Sequence, residues 1–256
     1  MKRIYTILLF LLSLTLGTFA QKTVGLDNWF NREVNTKTGK IYHYTWNDTQ
    51  NSGFSQFGQV FINHSAKLLT ISGNPNSKSL KNVDIYIIVD PDTTSENPTP
   101  NYVNANDIKF LKKWVSKGGV LLLMANDGPN CEFTHFNQLS EAFGFHFLAQ
   151  TLNPVVNSKW EMGAEIKLPD HPIFSGVKKI FIKEVAPILL SKGAKEVLKD
   201  GDTNAVIIAE TKYGKGYVMA IGDPWLYNEY IDHERLPESF ENLKAANNLV
   251  DLLLKK

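Results

Sequence analysis

Gly118-Gly119-Val120-Leu121-Leu122-Leu123-Met124-Ala125 reads as a helix stop followed at once by a strand. Six consecutive apolar residues without alternation leave no face for water, as in a parallel-sheet strand covered on both sides. Upstream, Asn106–Lys117 carries an amphipathic helical pattern that the glycine pair closes. Before that, Val83–Val89 (VDIYIIV) is a second two-sided run, ending in Asp90-Pro91-Asp92-Thr93. Strand, helix and strand in that order form the repeating unit of an α/β sheet.

The pattern extends outward. Lys67–Ile71 reads as a further strand, and Ile41–Trp46 as the first of the chain. Asn47–Gly53 reads as a turn. A helix is expected from Ser52 or Ser55 with Phe54, Phe57, Val60 and Phe61 on its apolar face. Residues 21–40 are polar, with Trp29-Phe30 as an anchor. Beyond the central strand, a helix carries Phe136, Leu139 and Phe143. Residues 145–200 show only short strand signals, around Ile166 and Ile180–Ile182. Ala205–Thr211 and Tyr217–Ile221 flank Lys212-Tyr213-Gly214-Lys215-Gly216 as a hairpin, and Phe240–Leu254 closes the chain as a helix. The whole predicts an α/β three-layer sandwich, a mostly parallel sheet with helices on both sides, in a single domain spanning 21–256.

The first twenty residues form a separate unit. Lys2-Arg3, the apolar Ile7–Leu16 and the small-residue end Gly17-Thr18-Phe19-Ala20 predict a secretory signal peptide, too short to span a membrane. The absence of cysteine at the cleavage point predicts no lipid anchor. The expected destination is the periplasm or the cell exterior. Processing leaves 25 Lys+Arg against 26 Asp+Glu, a net charge near −1, which carries no electrostatic footprint for nucleic acid. An apolar fraction of 43% and a charged fraction of 21% are those of a soluble globular chain.

Ligands of parallel sheets bind beyond the carboxyl ends of the strands. Four polar segments are expected there: Asn47–Ser55, Asp90–Thr94, Asn126–His135 and Asp223–Tyr230. The last, within Gly222–Tyr230 (GDPWLYNEY), places two carboxylates, an indole, two phenols and a carboxamide in nine residues. Trp225 could stack on a sugar ring, and Tyr227 and Tyr230 could serve as proton donor and stacking surface. Glu132 and His135 share a helix face if the helix starts near Glu132, which makes His135 a candidate general base. Anion recognition falls to Arg235 and to the free N–H groups of the helix start at Ser52–Ser55.

Other chemistries fit poorly. Cys131 is the only cysteine, six residues past the strand end and without the Gly-x-Cys-x-Gly elbow of class I glutamine amidotransferases. No G-x-S-x-G occurs. Asp90, Asp92, Asp127, Glu132 and His135 lack metal-ligand spacing, so no metal and no cofactor are expected. Paired carboxylates, Asp127 with Glu132 or Asp223 with Glu229, leave a glycosidase open.

Taken together, LDNWFN (26–31), YHYTWNDTQNSGFSQFG (42–58), DIYIIVDPDT (84–93), GGVLLLMANDGPNCEFTHFNQLSEAFG (118–144), HPIF (171–174) and GDPWLYNEY (222–230) resemble a known family. It is a glutamine-amidotransferase-like, flavodoxin-like α/β domain of polysaccharide-degrading bacteria, found beside unsaturated rhamnogalacturonyl or glucuronyl hydrolase domains. The chain also resembles the oligosaccharide dehydratases of ulvan breakdown. The resemblance implies removal of water across C4–C5 of a non-reducing-end uronate, giving a 4,5-unsaturated product for partner hydrolases. Such chemistry needs a base for the C5 proton, a counter-charge for the carboxylate and an acid for the leaving hydroxyl. The residues chemically suited to these roles are His135 or His43 as base and Tyr227 as acid. Asn126, Arg235 and Ser52–Ser55 would hold the carboxylate, and Trp225 and Tyr230 the sugar. Asp127, Glu132 and Asp223 would orient groups or bind hydroxyls. A non-catalytic carbohydrate-binding domain is the alternative.

Overall fold

The computed structural model describes residues 21–256, and the expected signal peptide at 1–20 lies outside the described residues. The chain begins with β1 (Thr23–Asp27), α1 (Ser55–Asn63) and β2 (Lys67–Ile71). It continues through β3 (Ile85–Val89), α2 (Ala105–Ser116), β4 (Val120–Met124), α3 (Phe133–Glu141) and β5 (Phe145–Phe147). Short strands β6 (Ala164–Glu165), β7 (Ile180–Phe181) and β8 (Ile188–Leu190) follow. The chain ends with β9 (Lys195–Lys199), β10 (Val206–Tyr213), β11 (Gly216–Ile221), α4 (Asn228–Ile231) and α5 (Asn242–Leu254).

Seven strands form one sheet in the order β2-β1-β3-β4-β11-β10-β9. The first five of that order run parallel, while β10 is antiparallel to both β11 and β9. Register places Ile87, Leu122 and Met219 at one level, on one face of the sheet. That face packs with Phe57 and Phe61 of α1 and with Ala246 and Leu249 of α5. Tyr86, Leu121 and Val218 point the other way, toward Leu111 and Val115 of α2 and Phe136 and Leu139 of α3. The uninterrupted apolar runs of β3 and β4 therefore have helices on both sides. Among the described residues no helix is long and apolar enough to cross a membrane.

Two sequence expectations fail near the amino terminus. β1 lies within residues 21–40, which read as polar, yet every residue of it is buried. Gly25 is the cause: a Cβ there would come within 2.9 Å of Ile71 Cγ1, so close packing demands the residue that weakens the strand signal. The strand expected at Ile41–Trp46 does not form. Only Ile41 makes a bridge, to Val34, while His43 and Tyr44 take left-handed conformations with φ of 57° and 41°.

Leu122 is fully buried at the centre of the sheet. Leu122→Ala is expected to cost about 2–5 kcal/mol, read as a lower urea midpoint with an unchanged slope.

Candidate functional site

Because β1, β3, β4 and β11 run parallel, their carboxyl ends open on one edge, and a cavity of about 270 Å³ lies there. Each of the four polar segments anticipated from the sequence contributes a wall: Ser52, Asp90, Asn126 and Tyr227 are examples.

The wall after β1 is built by Asp27. Its Oδ2 accepts the backbone N–H groups of Trp29, Phe30 and Asn31, and its Oδ1 accepts the Tyr86 hydroxyl at 2.5 Å. This folds residues 28–33 back over the strand ends and delivers Glu33 to the cavity. Glu33 Oε1 lies 2.8 Å from His43 Nδ1, which fixes the ring and leaves Nε2 as its other nitrogen. Burial pushes the Asp27 carboxyl up to about 6, against the hydrogen bonds that lower it.

The wall after β3 is Asp90. It sits directly at the strand end with a left-handed φ of 43°. Asn126 Nδ2 donates to its Oδ2 at 2.9 Å, whereas its Oδ1 is buried and has no partner among the described residues. Strained backbone and an unsatisfied buried oxygen on one residue are both features that concentrate at functional sites. Burial raises the Asp90 carboxyl well above the ordinary range, which favours its neutral form.

The wall after β11 turns on Asp223, whose Oδ2 accepts the Trp225 N–H at 2.9 Å. Trp225, left-handed at φ 50°, sends its indole N–H to the Phe181 carbonyl at 3.0 Å, and the chain then brings Tyr227 back to the cavity. Burial raises Asp223, Tyr44 and Tyr227 alike. Opposite them stands Lys183, paired with Glu184 and raised chiefly by that carboxylate despite its burial.

Of the residues singled out from the sequence, His43, Ser52, Asp90, Asn126, Asp223, Tyr227 and Glu229 line this cavity. Several others do not, each for a physical reason. Trp225 is 1% exposed and core-packed, so it has no face to offer a sugar. Tyr230 is buried against Phe181 and Trp160. His135 belongs to α3, on the opposite side of the sheet from the layer that contains Tyr227, with its ring stacked on Tyr102 at 4.5 Å. The pairing of His135 with Tyr227 is therefore excluded. Glu132 caps α3 through the His135 N–H and contacts His135 Nδ1 at 3.0 Å, so the two do share a helix face. Asp127 is occupied by Asn130 and by the Thr151 hydroxyl.

The helix start expected to bind an anion is already filled. Asn228 Oδ1 accepts from Gln56 N and Ser55 Oγ, while its Nδ2 donates to the Asp48 and Gln50 carbonyls. Gly53 makes room for this clamp, since a Cβ there would meet the Asp48 carbonyl oxygen at 2.0 Å. Arg235 is spent on Glu229 at 2.6 Å and Asn51 at 2.7 Å. Cys131 is buried and its thiol is pushed up by burial, which suits a packing role.

Glu33, Tyr44, Lys183 and Glu184 were missed. The only sequence signal for Lys183-Glu184 was a charged pair directly after the apolar Ile180–Ile182. Among the described residues, no three His, Cys, Asp or Glu side chains are placed to hold a metal ion.

No protein-family model and no curated protein sequence matches the chain. Solved structures do. The mmIFT52 N-terminal domain aligns with a TM-score of 0.69 at 18% identity, covering 92% of this chain and 98% of that one. Cytoplasmic Protein STM1381 from Salmonella typhimurium LT2 aligns with a TM-score of 0.60 at 11% identity, over 91% and 99%. A β-galactosidase from Bacillus circulans sp. alkalophilus aligns with a TM-score of 0.50 at 9% identity, over 92% of this chain and 31% of that one. At these identities the likeness is one of fold alone.

Asp27 makes a testable electrostatic prediction. Its carboxyl rises from 3.8 to about 6 on folding, so its contribution to stability is full at the acid end and lost as pH rises through about 6. The Tyr86 hydroxyl supports the ionised form. Tyr86→Phe is therefore expected to differ least from wild type near pH 4, and most above pH 6, by about 1.5–3 kcal/mol in urea titrations.

Proposed function

We propose that the strand-end cavity is a carbohydrate site that removes water from the non-reducing-end uronate of an ulvan-type oligosaccharide. The observation that carries this reading is the Glu33–His43 dyad placed in one cavity with the Tyr227 phenol. His43 Nε2 takes the C5 proton, while Glu33 holds the ring through Nδ1. The electron pair left at C5 moves into the substrate carboxylate, then forms the C4–C5 double bond as the C4–O bond breaks. Tyr227 gives its proton to the departing hydroxyl, which leaves as water. The His43 imidazolium then releases the C5 proton to solvent and the phenolate takes one up, so both groups return to their starting states. Lys183 and Asn126 take the roles of carboxylate anchors that Arg235 and the Ser52–Ser55 helix start cannot fill.

The charge balance of the cavity supports an anionic substrate despite its many carboxyl groups. Burial shifts Asp90, Asp223 and Glu96 toward their neutral forms, Glu229 is paired with Arg235, Glu184 with Lys183, and Glu33 faces His43. A substrate hydroxyl donating to Asp90 Oδ1 would satisfy its orphaned oxygen. The order of the five parallel strands, second-first-third-fourth-fifth along the chain, supports the flavodoxin-like and glutamine-amidotransferase-like reading of the fold. With export to the periplasm, the product would feed unsaturated glucuronyl hydrolases.

The test is incubation with uronate-terminated oligosaccharides, following ultraviolet absorbance of the conjugated enoate together with product mass. Loss of one water with rising absorbance is the expected result. Unchanged mass on binding would reduce the site to a sugar-binding module, and gain of water with chain cleavage would make it a glycosidase. His43→Ala and Tyr227→Phe are each expected to lower kcat by about 10²–10⁴. His135→Ala leaves it unchanged.

A further inference from the structure

A second depression, about 660 Å³, adjoins the cavity and is more than twice its volume. The two share His43 and Ser52, so the groove opens from the wall that carries the dyad. Its chemistry differs from that of the cavity. Where the cavity collects carboxyl groups, the groove presents the amides of Asn47, Gln50 and Asn51, the Thr45 hydroxyl and the Tyr42 ring.

Most of these groups are available. Asn47, Gln50 and Asn51 are exposed, and of the three Asn51 has its Oδ1 engaged by Arg235. The Gln50 amide nitrogen reaches only the neighbouring Thr49 hydroxyl, at 3.5 Å, a weak contact. The Tyr42 ring packs on His43 with centroids 3.8 Å apart, leaving an aromatic surface continuous with the dyad. The charges of the lining are Lys40 and Asp48 alone, and they balance. Asp48 is moreover spent on backbone, accepting the N–H groups of Gln50 at 2.8 Å and His43 at 3.0 Å. A wall of amides, hydroxyl and aromatic ring without net charge is complementary to uncharged polyhydroxylated rings, which offer hydrogen bonds on their edges and C–H groups on their faces.

We infer that this groove binds the neutral sugar units that follow the terminal uronate, so that the protein selects oligosaccharides over shorter substrates. The inference rests on the carbohydrate site proposed above. If the cavity takes the terminal ring, a groove of this volume holds roughly two further units.

Calorimetric titration with a disaccharide and a hexasaccharide of the same uronate-terminated chain tests it. The hexasaccharide is expected to bind roughly tenfold more tightly. Asn47→Ala together with Thr45→Ala removes most of that advantage and weakens the disaccharide, which places a single unit in the groove, by less, with circular dichroism confirming the fold. The advantage persists at high salt, because neutral units are not screened. Equal affinity for both lengths overturns the inference, as does a variant that weakens both equally. Loss of the advantage in salt overturns it too, since recognition would then be of charged units through Lys40. Product mass from the same samples separates the two claims. Length-dependent binding without loss of water sinks the dehydration and keeps the groove. Loss of water from both lengths with the same KM does the reverse.

Discussion

Carboxyl groups gather where the parallel strands run out, and burying them is the constraint around which this edge of the protein is built. Asp27 terminates β1, Asp90 follows β3, Asp127 follows β4 and Asp223 follows β11, and all four are buried. A buried carboxyl needs partners or must give up its charge. Asp27 finds three backbone N–H groups and a phenol. Asp127 finds an amide and a hydroxyl. Those two hold loops. Asp90 keeps one oxygen without a partner, and Asp223 has a single backbone donor beside Lys183. The structural acids are the satisfied ones, and the acids left wanting are those that line the cavity.

How far this could be read from the sequence follows from which signals are local. VDIYIIV and VLLLMA announce strands because burial on both faces imposes the same apolar demand at every position. The strand-end segments were legible for the same reason, since the ends of parallel strands are fixed once the strands are found. β1 was hidden because a glycine required by Ile71 breaks its pattern. His43 and Tyr44 were misread as strand because aromatic composition is indifferent to backbone handedness. Nothing in the sequence reports that φ turns positive there. Trp225 shows the same limit from the other side. Its polar neighbours made it look exposed, whereas a left-handed turn at that residue drives the indole inward to the Phe181 carbonyl. Lys183 and Glu33 come from segments remote in sequence, and only the fold brings them to the cavity.

The cavity's two nitrogen-bearing groups, the His43 imidazole and the Lys183 amine, each come with a carboxylate of their own, Glu33 and Glu184. In a partly buried space this arrangement keeps the local field small while leaving each group oriented. An incoming anion then competes with a resident carboxylate for Lys183, which makes fit rather than bulk attraction the selecting force.

The Asn228 clamp has a mechanical consequence. One carboxamide fills the α1 start and two carbonyls of the 48–56 segment, and the neighbouring backbone adds Asn228 N to the Gly53 carbonyl and Glu229 N to the Asn51 carbonyl. The two loops that face each other across the site are thus stitched into one piece, and neither can swing without breaking several hydrogen bonds together. Such a site is an open dock of fixed shape. On the proposed function, a ligand would meet a contour already set before it arrives.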